Sequence, residues 1–357
     1  MRHLRMVALL QVLTLPGLAH AQSDRPVLAV DSTHLDTTCA PCRDFYQFAN
    51  GGWEDRATIP AQYSYFGTPR EVEDRNEVLL RKILVDAARH ATRTDDATTR
   101  LVGTFYGSCM DSALAARQGA APLQPLLGQI AAIRSRGDLA EVIGELAREG
   151  IDAGMPFFPF ADLAHSDTLR LNSWQGSYGL PDRDFYLRSD SALTVARTNY
   201  RAHLLRMFRL LGDTPARARQ NRDRVWSIEL ALARGAVPSE EANKFPKLHH
   251  PATRAALDSL ARHVEWTRLF TGLGVPGLKQ LNVMIPSELT TFDSLVGASP
   301  LEEWQAYLRW RAAHFAGRYL DARFEREQLA YDRIVSGQSQ LKPRWQRCLN
   351  ATDEQIG

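Results

Sequence analysis

The sequence predicts a mainly α-helical protein, with one large helical lobe that carries a small β-hairpin insertion. Apolar residues recur at alternating three- and four-residue steps over long stretches, which is the period of an amphipathic helix. One region, residues 155–172, breaks that period and combines prolines with an alternating apolar and polar segment. The 357 residues suffice for one large core, and no repeat, low-complexity tract or long linker divides them.

The first element is a predicted export signal at residues 1–21. Arg2 and Arg5 precede a short apolar run, and Ala19–His20–Ala21 has the small-x-small pattern of a cleavage site. The run is too short to span a bilayer, and no later segment is apolar enough to do so. We therefore expect a protein without a membrane span that is exported to the periplasm or the extracellular space.

The charge balance argues against a nucleic-acid partner. The formal net charge is +2, and removal of Arg2 and Arg5 with the signal leaves the mature chain neutral. Basic residues such as Arg197 and Arg201 are interspersed with acids along predicted helix faces, as on a solvated surface. A neutral chain exerts no bulk electrostatic attraction on nucleic acid or on an anionic membrane.

The mature chain is predicted to begin with an extended arm at residues 22–60 and to continue as a helical domain at residues 61–357. The clearest helical stripe consists of Leu193, Ala196, Tyr200, Leu204, Met207 and Leu211. A capping box at Ser299–Pro300–Leu301–Glu302 predicts the start of another helix, and Asp138 opens a shorter one.

Strands are predicted at two places. Met155–Phe160 carries two prolines, which confine it to the edge of a sheet, and Thr168–Asn172 alternates as a half-buried strand does. Together they form the predicted hairpin. The apolar run from Leu281 to Ile285 stops at Pro286 and is predicted to be a short strand.

Four cysteines in an exported chain favour disulfides over free thiols. Cys39 and Cys42 have the spacing of a redox dithiol, but they follow a Thr-rich arm rather than a strand in a βαβ unit. A structural disulfide is the preferred interpretation, and a thiol oxidoreductase is a weaker hypothesis. A zinc ribbon would need a second closely spaced pair, which Cys109 and Cys348 do not supply.

The sequence offers no catalytic or metal-binding residues of its own. It lacks His-Glu-x-x-His, the motif that places two zinc ligands and a general base on one helix face. His249 and His250 are adjacent and cannot share a helix face, and His263 has no second histidine beside it. No Gly-x-Ser-x-Gly elbow or phosphate-binding glycine loop is present either.

Four segments, taken in order, resemble the N-terminal domain of the neprilysin and endothelin-converting-enzyme family of zinc metallopeptidases. Their signature residues are Asp44, Phe45, Tyr46, Asn50, Gly51 and Trp53 with Ile59 and Pro60, then the context of Cys109, then Leu180, Pro181, Arg183, Asp184 and Tyr186, and finally Arg344 and Trp345 before Cys348. An Asn-Gly-Gly turn is expected at residues 50–52.

The resemblance implies a two-lobed peptidase of which this chain is the N-terminal lobe. In the family, the C-terminal lobe holds the zinc and His-Glu-x-x-His, and the N-terminal lobe is a lid that limits substrates to peptides. This chain stops before the zinc site. We therefore expect a fragment of an exported metalloendopeptidase that hydrolyses oligopeptides, with Zn²⁺ only in the full-length enzyme, no cofactor here and no activity alone. The expected partners are peptide substrates, which would bind through a missing or separate catalytic lobe.

The resemblance also bears on the cysteines and on substrate contacts. It implies that Cys109 pairs with Cys348, and that the family partner of Cys42 lies in the catalytic lobe. Cys42 must then pair with Cys39, pair with another chain or stay free. Where the family has substrate-contacting arginines, this chain has Tyr65 and Glu73. The alternative to a peptidase lobe is a non-catalytic exported protein that binds peptides or acts as a scaffold.

Overall fold

The chain divides into two compact units between Thr58 and Ile59. A computed structural model describes residues 31–357, so the predicted signal at residues 1–21 lies outside the described residues. The predicted domain ranges, an arm at residues 22–60 and a helical domain at residues 61–357, stay predictions.

The first unit is built on one helix, α1 (Phe45–Glu54), preceded by a 3₁₀ turn at Ser32–His34. Asp44 caps α1 by accepting a hydrogen bond from the Gln47 N–H at 3.0 Å. The arm predicted to be extended is therefore helical over these residues, and the expected Asn-Gly-Gly turn is wrong because residues 50–52 lie within α1. A Cβ on Gly52 would lie 2.6 Å from the Leu35 carbonyl oxygen. Glycine is needed there because the preceding segment crosses the helix closely.

The second unit is mostly helical. Its helices are α2 (Thr68–His90), α3 (Ala97–Met110), α4 (Ser112–Gln118), α5 (Gln124–Ala132), α6 (Arg136–Arg148), α7 (Asp184–Leu187), α8 (Ser191–Leu210), α9 (Pro215–Gly235), α10 (Ser239–Ala242), α11 (Arg254–Leu260), α12 (Trp266–Gly272), α13 (Pro286–Ala298), α14 (Leu301–Ala316), α15 (Ala322–Val335) and α16 (Arg344–Ile356), with 3₁₀ turns at Ala121–Leu123, Phe245–Lys247 and Gly317–Tyr319.

A four-stranded sheet interrupts the helices in the order β1-β2-β4-β3. Its strands are β1 (Phe157–Ala161), β2 (Leu169–Ser173), β3 (Pro251–Thr253) and β4 (Gln280–Val283). β1 and β2 form the predicted antiparallel hairpin, with proline-containing β1 at the edge. The short strand predicted at Leu281–Ile285 is confirmed as β4, which pairs in parallel with β2. β3 was not predicted because three residues are too few to show a period.

One large apolar core holds this unit together, with Trp266, Trp304 and Trp310 fully buried. The stripe predicted on α8 is confirmed, since Tyr200, Leu204 and Met207 are buried in this core. The helix predicted after Ser299 is also confirmed as α14.

The capping box predicted at Ser299 is wrong. Pro300 occupies the N-cap of α14, so Ser299 lies one residue outside the helix, and no side chain caps the first turn. A complete box forms instead at α6, where Ser135 and Asp138 bond reciprocally to each other's backbone. Asp138 thus closes the first turn of α6 rather than opening the helix. The fold class is as predicted: a mainly helical lobe with a small sheet.

Candidate functional site

Helices α2, α3 and α16 form a three-helix layer with an apolar cluster of its own, separate from the large core. Leu84, Tyr106, Cys348 and Leu349 are its buried members. The crossing of α2 and α3 is very close at Gly103, where a Cβ would lie 2.2 Å from the Ala87 carbonyl oxygen. Only glycine permits this approach of two helix backbones.

A disulfide between Cys109 and Cys348 joins the end of α3 to α16 and closes a separation of 239 residues, with an S–S distance of 2.06 Å. This is the pairing that the family resemblance implied. Beside it, the Arg344 Nε and Nη2 atoms donate hydrogen bonds of 2.9 and 2.6 Å to the Cys109 carbonyl oxygen. Two of the sequence-predicted segments therefore meet at one place.

Two arginines of α16 pair with one carboxylate of α15. Glu325 of α15 lies 2.9 Å from Arg344 Nη1 and 2.8 Å from Arg347 Nη1. Trp345, the signature residue next to Arg344, faces α2. The Arg81 guanidinium of α2 lies over its ring in a cation–π contact, 4.6 Å from the ring centroid. Cys109 lines two cavities of about 260 and 340 Å³, and Cys348 also lines the smaller one. Ion pairs and cavities therefore occur together where α16 meets α15.

An ionic cluster in which Arg70 and Glu77 are buried connects the start of α2 to α16. Arg70 lies 2.5 Å from Glu73, 3.3 Å from Asp74 and 2.8 Å from Glu77. Gln346 of α16 donates to the Tyr63 hydroxyl at 2.9 Å and also to Glu77. With three carboxylates around it, the Arg70 guanidinium is not available to bind an anionic ligand.

The signature residues Leu180 and Tyr186 belong to a buried hydrogen-bond network centred on Glu229 of α9. The Glu229 carboxylate accepts from the Tyr186 and Tyr200 hydroxyls, from Trp310 Nε1 and from the Gly179 N–H, all at 2.8–3.0 Å. The Tyr186 hydroxyl in turn accepts from the Leu180 N–H at 3.0 Å. Burial raises the pKa of Glu229 to about 7, although its donors favour the charged form.

The rest of the Leu180–Tyr186 segment forms a capped turn. Asp182 accepts a hydrogen bond of 2.8 Å from the Asp184 N–H, and Arg183 lies 3.9 Å from the Asp184 carboxylate. Asp182 and Asp184 therefore have the structural roles that the sequence favoured, rather than those of a general acid and base. Pro181 sets the turn that precedes α7.

A second buried acid, Glu288 in the first turn of α13, has no side-chain hydrogen-bond partner among the described residues, and only the Gly176 backbone N–H among them favours its charged form. It is fully buried, and burial raises its pKa to about 8. Sequence reasoning missed both buried acids. For Glu229 there is a signal, because it is the one charged residue in the apolar run from Val225 to Ala233. Glu288 follows a proline and a serine and looks like an ordinary first-turn acid.

The remaining signature residues lie in or beside α1 or at the start of the second unit. Tyr46 donates a hydrogen bond of 2.7 Å to Glu54, and Asn50 donates one of 3.1 Å to the Tyr46 carbonyl oxygen. Phe45 is exposed, whereas Gly51 is buried and Trp53 is partly buried. Ile59 and Pro60 precede a turn closed by the Tyr63 N–H on the Pro60 carbonyl oxygen at 2.9 Å.

Cys39 and Cys42 are free, so the disulfide considered between them is not formed. The Cys39 sulfur instead lies 3.6 Å from the Asp44 carbonyl oxygen at the start of α1. Cys42 is exposed.

Within residues 31–357, no three His, Cys, Asp or Glu side chains are arranged to hold a metal ion. The described residues therefore do not fit a catalytic zinc, which needs three protein ligands. His249 and His263 face Asp162 and Asp293, respectively, as isolated pairs. Over the same described residues, no helix is both long and apolar enough to cross a bilayer.

Comparisons with known proteins agree with the signature segments. Residues 41–357 match the N-terminal model of Peptidase family M13. Human endothelin-converting enzyme 1 is 24% identical over 335 residues, which cover 90% of this chain and 43% of the relative. Neprilysin-11 of Caenorhabditis elegans is 25% identical over 341 residues, covering 88% and 39%.

A solved structure of the Mycobacterium tuberculosis zinc metalloprotease Zmp1, in complex with an inhibitor, matches with a TM-score of 0.84 and 26% identity, over 92% of this chain and 50% of that one. The chain spans about half the length of the relatives it matches. The ordered signature segments, the helical fold and the match over most of the sequence lead to one conclusion: the chain belongs to peptidase family M13, as an N-terminal region of the neprilysin and endothelin-converting-enzyme type.

Proposed function

We propose that this chain is the N-terminal lobe of an exported metalloendopeptidase that hydrolyses oligopeptides, and that it forms the lid and part of the wall of the substrate cavity. The observation that carries the proposal is the match of residues 41–357 to the N-terminal family model. The Cys109–Cys348 disulfide supports export, because disulfides persist in oxidising compartments.

The chemistry of the reaction belongs to a part of the peptidase beyond the described residues. In the family, zinc activates the attacking water. The described residues contribute no zinc ligands, so their role is to shape and close the cavity. The Glu229 network does this by holding the Leu180–Tyr186 segment rigidly against the large core.

The lid is also expected to affect substrate choice. Tyr65 and Glu73 stand where the family has arginines, and Arg70 cannot replace them because Glu73, Asp74 and Glu77 surround its guanidinium. We therefore do not expect an arginine at these positions to recognise a peptide's C-terminal carboxylate. We expect the enzyme to cleave internal bonds and to show equal kcat/KM for peptides with free and amidated C-termini.

The test has two parts. Residues 22–357 alone, supplied with Zn²⁺, should not hydrolyse a fluorogenic oligopeptide, and hydrolysis would show that this chain carries the chemistry itself. The coding DNA downstream should contain a frame for His-Glu-x-x-His, and its absence would overturn the peptidase assignment. In that case the alternative, a peptide-binding or scaffold protein, predicts zinc-independent binding of the same peptide by residues 22–357.

A further inference from the structure

The two cavities beside Cys109 adjoin each other and form one pocket with two chambers. Cys109, Tyr319 and Arg344 line both of them. The smaller chamber, of about 260 Å³, is bordered by α15 and α16, and the larger, of about 340 Å³, by α3, α4 and α14. Pockets that hold small molecules generally measure roughly 300–1,000 Å³, so the two chambers offer room for a small organic ligand.

The smaller, polar chamber is lined by acceptors that lack donors. Gln328 is 4% exposed, and its buried Oε1 atom has no hydrogen-bond partner among the described residues. The Nε2 atom of the same side chain donates to Asp332 at 3.3 Å. Asp332 forms no ion pair within residues 31–357, and burial raises its pKa, although nearby Arg318 opposes the rise. Buried acceptors of this kind favour a ligand that brings donors.

The polar chamber also contains cations without acidic partners. Arg318 and Lys342 line it, and neither forms an ion pair with a carboxylate of residues 31–357. Burial lowers the pKa of Lys342, whose ammonium lies 5.1 Å from the centroid of the Tyr63 ring. The other two arginines of the chamber, by contrast, both pair with Glu325. The chamber therefore offers unpaired charges of both signs, with Asp332 as the negative one.

The larger, apolar chamber is lined mostly by hydrocarbon. Phe105, Leu114, Phe315 and Leu320 contribute their side chains to its wall. Each methylene of a ligand that is transferred from water to such a surface strengthens binding by about fourfold. A ligand that occupies both chambers therefore has an apolar side chain attached to a head group that carries both charges.

We propose that this pocket binds a free α-amino acid with a large apolar side chain. Its ammonium group would donate to Gln328 and Asp332, and its carboxylate would accept from Arg318 and Lys342. The side chain would pass Tyr319 into the apolar chamber. A monocarboxylate with an apolar tail fits less well, because it leaves the buried acceptors without a donor. The proposal goes beyond the proposed function, since the pocket lies within this chain and requires no zinc.

Calorimetric titration of residues 22–357 with four compounds tests the match. L-Phenylalanine carries both charges and the ring, 3-phenylpropionate lacks the ammonium, 2-phenylethylamine lacks the carboxylate and glycine lacks the side chain. We expect phenylalanine to bind at least tenfold more tightly than each of the others, because a site built from polar groups rejects ligands that leave those groups unpaired. No saturable binding of phenylalanine at millimolar concentration would overturn the proposal. Equal or tighter binding of 3-phenylpropionate would also overturn it, in favour of an amphipathic monocarboxylate.

Variants assign the two ends of the ligand. In Arg318→Gln/Lys342→Gln, the preference for phenylalanine over 2-phenylethylamine should fall from at least tenfold to less than threefold. In Asp332→Asn, the preference over 3-phenylpropionate should fall by the same amount. A purely structural role of these residues would weaken all ligands alike and leave both ratios unchanged, which would refute the assignment.

Arg326→Gln is the matched control for the cationic end. Arg326 is exposed on α15 and is not among the residues that line the two chambers. We expect this variant to bind all four compounds as the parent does. A loss of phenylalanine binding equal to that in Arg318→Gln/Lys342→Gln would indicate general electrostatic attraction rather than a site, and the proposal would be wrong.

Discussion

Two buried glutamates differ in how many hydrogen-bond donors surround their carboxylates. Glu229 is surrounded by four donors, which stabilise its charge inside the core. Glu288 is equally buried, but no side chain of the described residues donates to its carboxylate, and the Gly176 backbone N–H offsets little of the cost of burial. An unpaired charge in an apolar environment is costly, so Glu288 stays protonated at neutral pH.

This difference predicts how stability depends on pH. The pKa of Glu288 is raised from 4.5 to about 8 on folding, so the folded state holds the proton to higher pH than the unfolded state does. The contribution of protonated Glu288 to the free energy of unfolding is complete below pH 4.5. It is lost as the pH rises toward 8, and the loss amounts to a few kcal/mol. We expect Glu288→Gln to remove this loss and to be more stable than the parent by about 2 kcal/mol or more at pH 8, with little difference at pH 5.

Urea unfolding at the two pH values provides the measurement. Glu240→Gln is a matched control because Glu240 is exposed. If the parent and Glu288→Gln lose stability equally between pH 5 and pH 8, Glu288 is ionised in the folded protein and the interpretation is wrong.

At the scale of elements, the helices were largely predictable and their junctions were not. The apolar period located α8, because a long amphipathic helix repeats the same signal many times. The start of α14 was predicted from the residues after Ser299, although the capping box itself does not form. Residues 50–52 were predicted as a turn because a sequence shows glycines but not the backbone that approaches them. The close crossing at Gly103 and the three-residue strand β3 were missed for the same reason: their cause lies in distant parts of the chain.

Gly103 gives a direct test of the α2–α3 crossing. We expect Gly103→Ala to destabilise the protein by several kcal/mol, because the new methyl group would collide with the backbone at Ala87. Gly128 in α5 is the matched control, since nothing lies within 4 Å of a Cβ there. Gly128→Ala should be neutral or stabilising by up to about 1 kcal/mol. Equal thermal shifts of the two variants would contradict the close crossing.

The disulfide provides a second test at this scale. In the chain-entropy model a bridge over 239 residues contributes at most roughly 5 kcal/mol. We expect Cys109→Ser/Cys348→Ser to lower the free energy of unfolding by about 2–5 kcal/mol and to speed amide exchange in α2, α3 and α16 first. Cys39→Ser/Cys42→Ser removes only free thiols and should change neither quantity. Unaltered exchange in α16 of the first variant would contradict a stabilising role of the disulfide in this layer.

For the whole molecule, family and architecture followed from the sequence, but the free face of α2 did not. Motifs such as Leu180–Tyr186 and Arg344–Cys348 are contiguous in the chain and can be recognised from the sequence alone. The exposed apolar stripe on α2, which consists of Val72, Leu79 and Ile83, became evident only when the opposite side of the helix was seen to pack against α3 and α16. The apolar pattern of a sequence does not show which apolar residues of a helix are covered by other helices of the same chain.

The exposed stripe leads to a prediction for the chain in isolation. Residues 22–357 should bind a hydrophobic fluorescent dye while fully folded, because the stripe has no cover. Leu79→Gln/Ile83→Gln should reduce the dye signal by half or more without lowering the unfolding temperature. Val195→Gln/Leu260→Gln, which changes two exposed apolar residues on separate helices, should reduce it much less. Similar losses in both double variants would mean that the stripe is not a distinct surface.

The disulfide has a further consequence. The Cα atoms of Cys109 and Cys348 lie 5.6 Å apart, so the polypeptide enters and leaves everything between them at almost the same point. Such a segment has the geometry of an inserted cassette, and insertions with adjacent ends are readily accepted by a host fold. A protein engineer could therefore exchange the intervening residues for those of another relative by making two cuts at one location, with both cysteines retained.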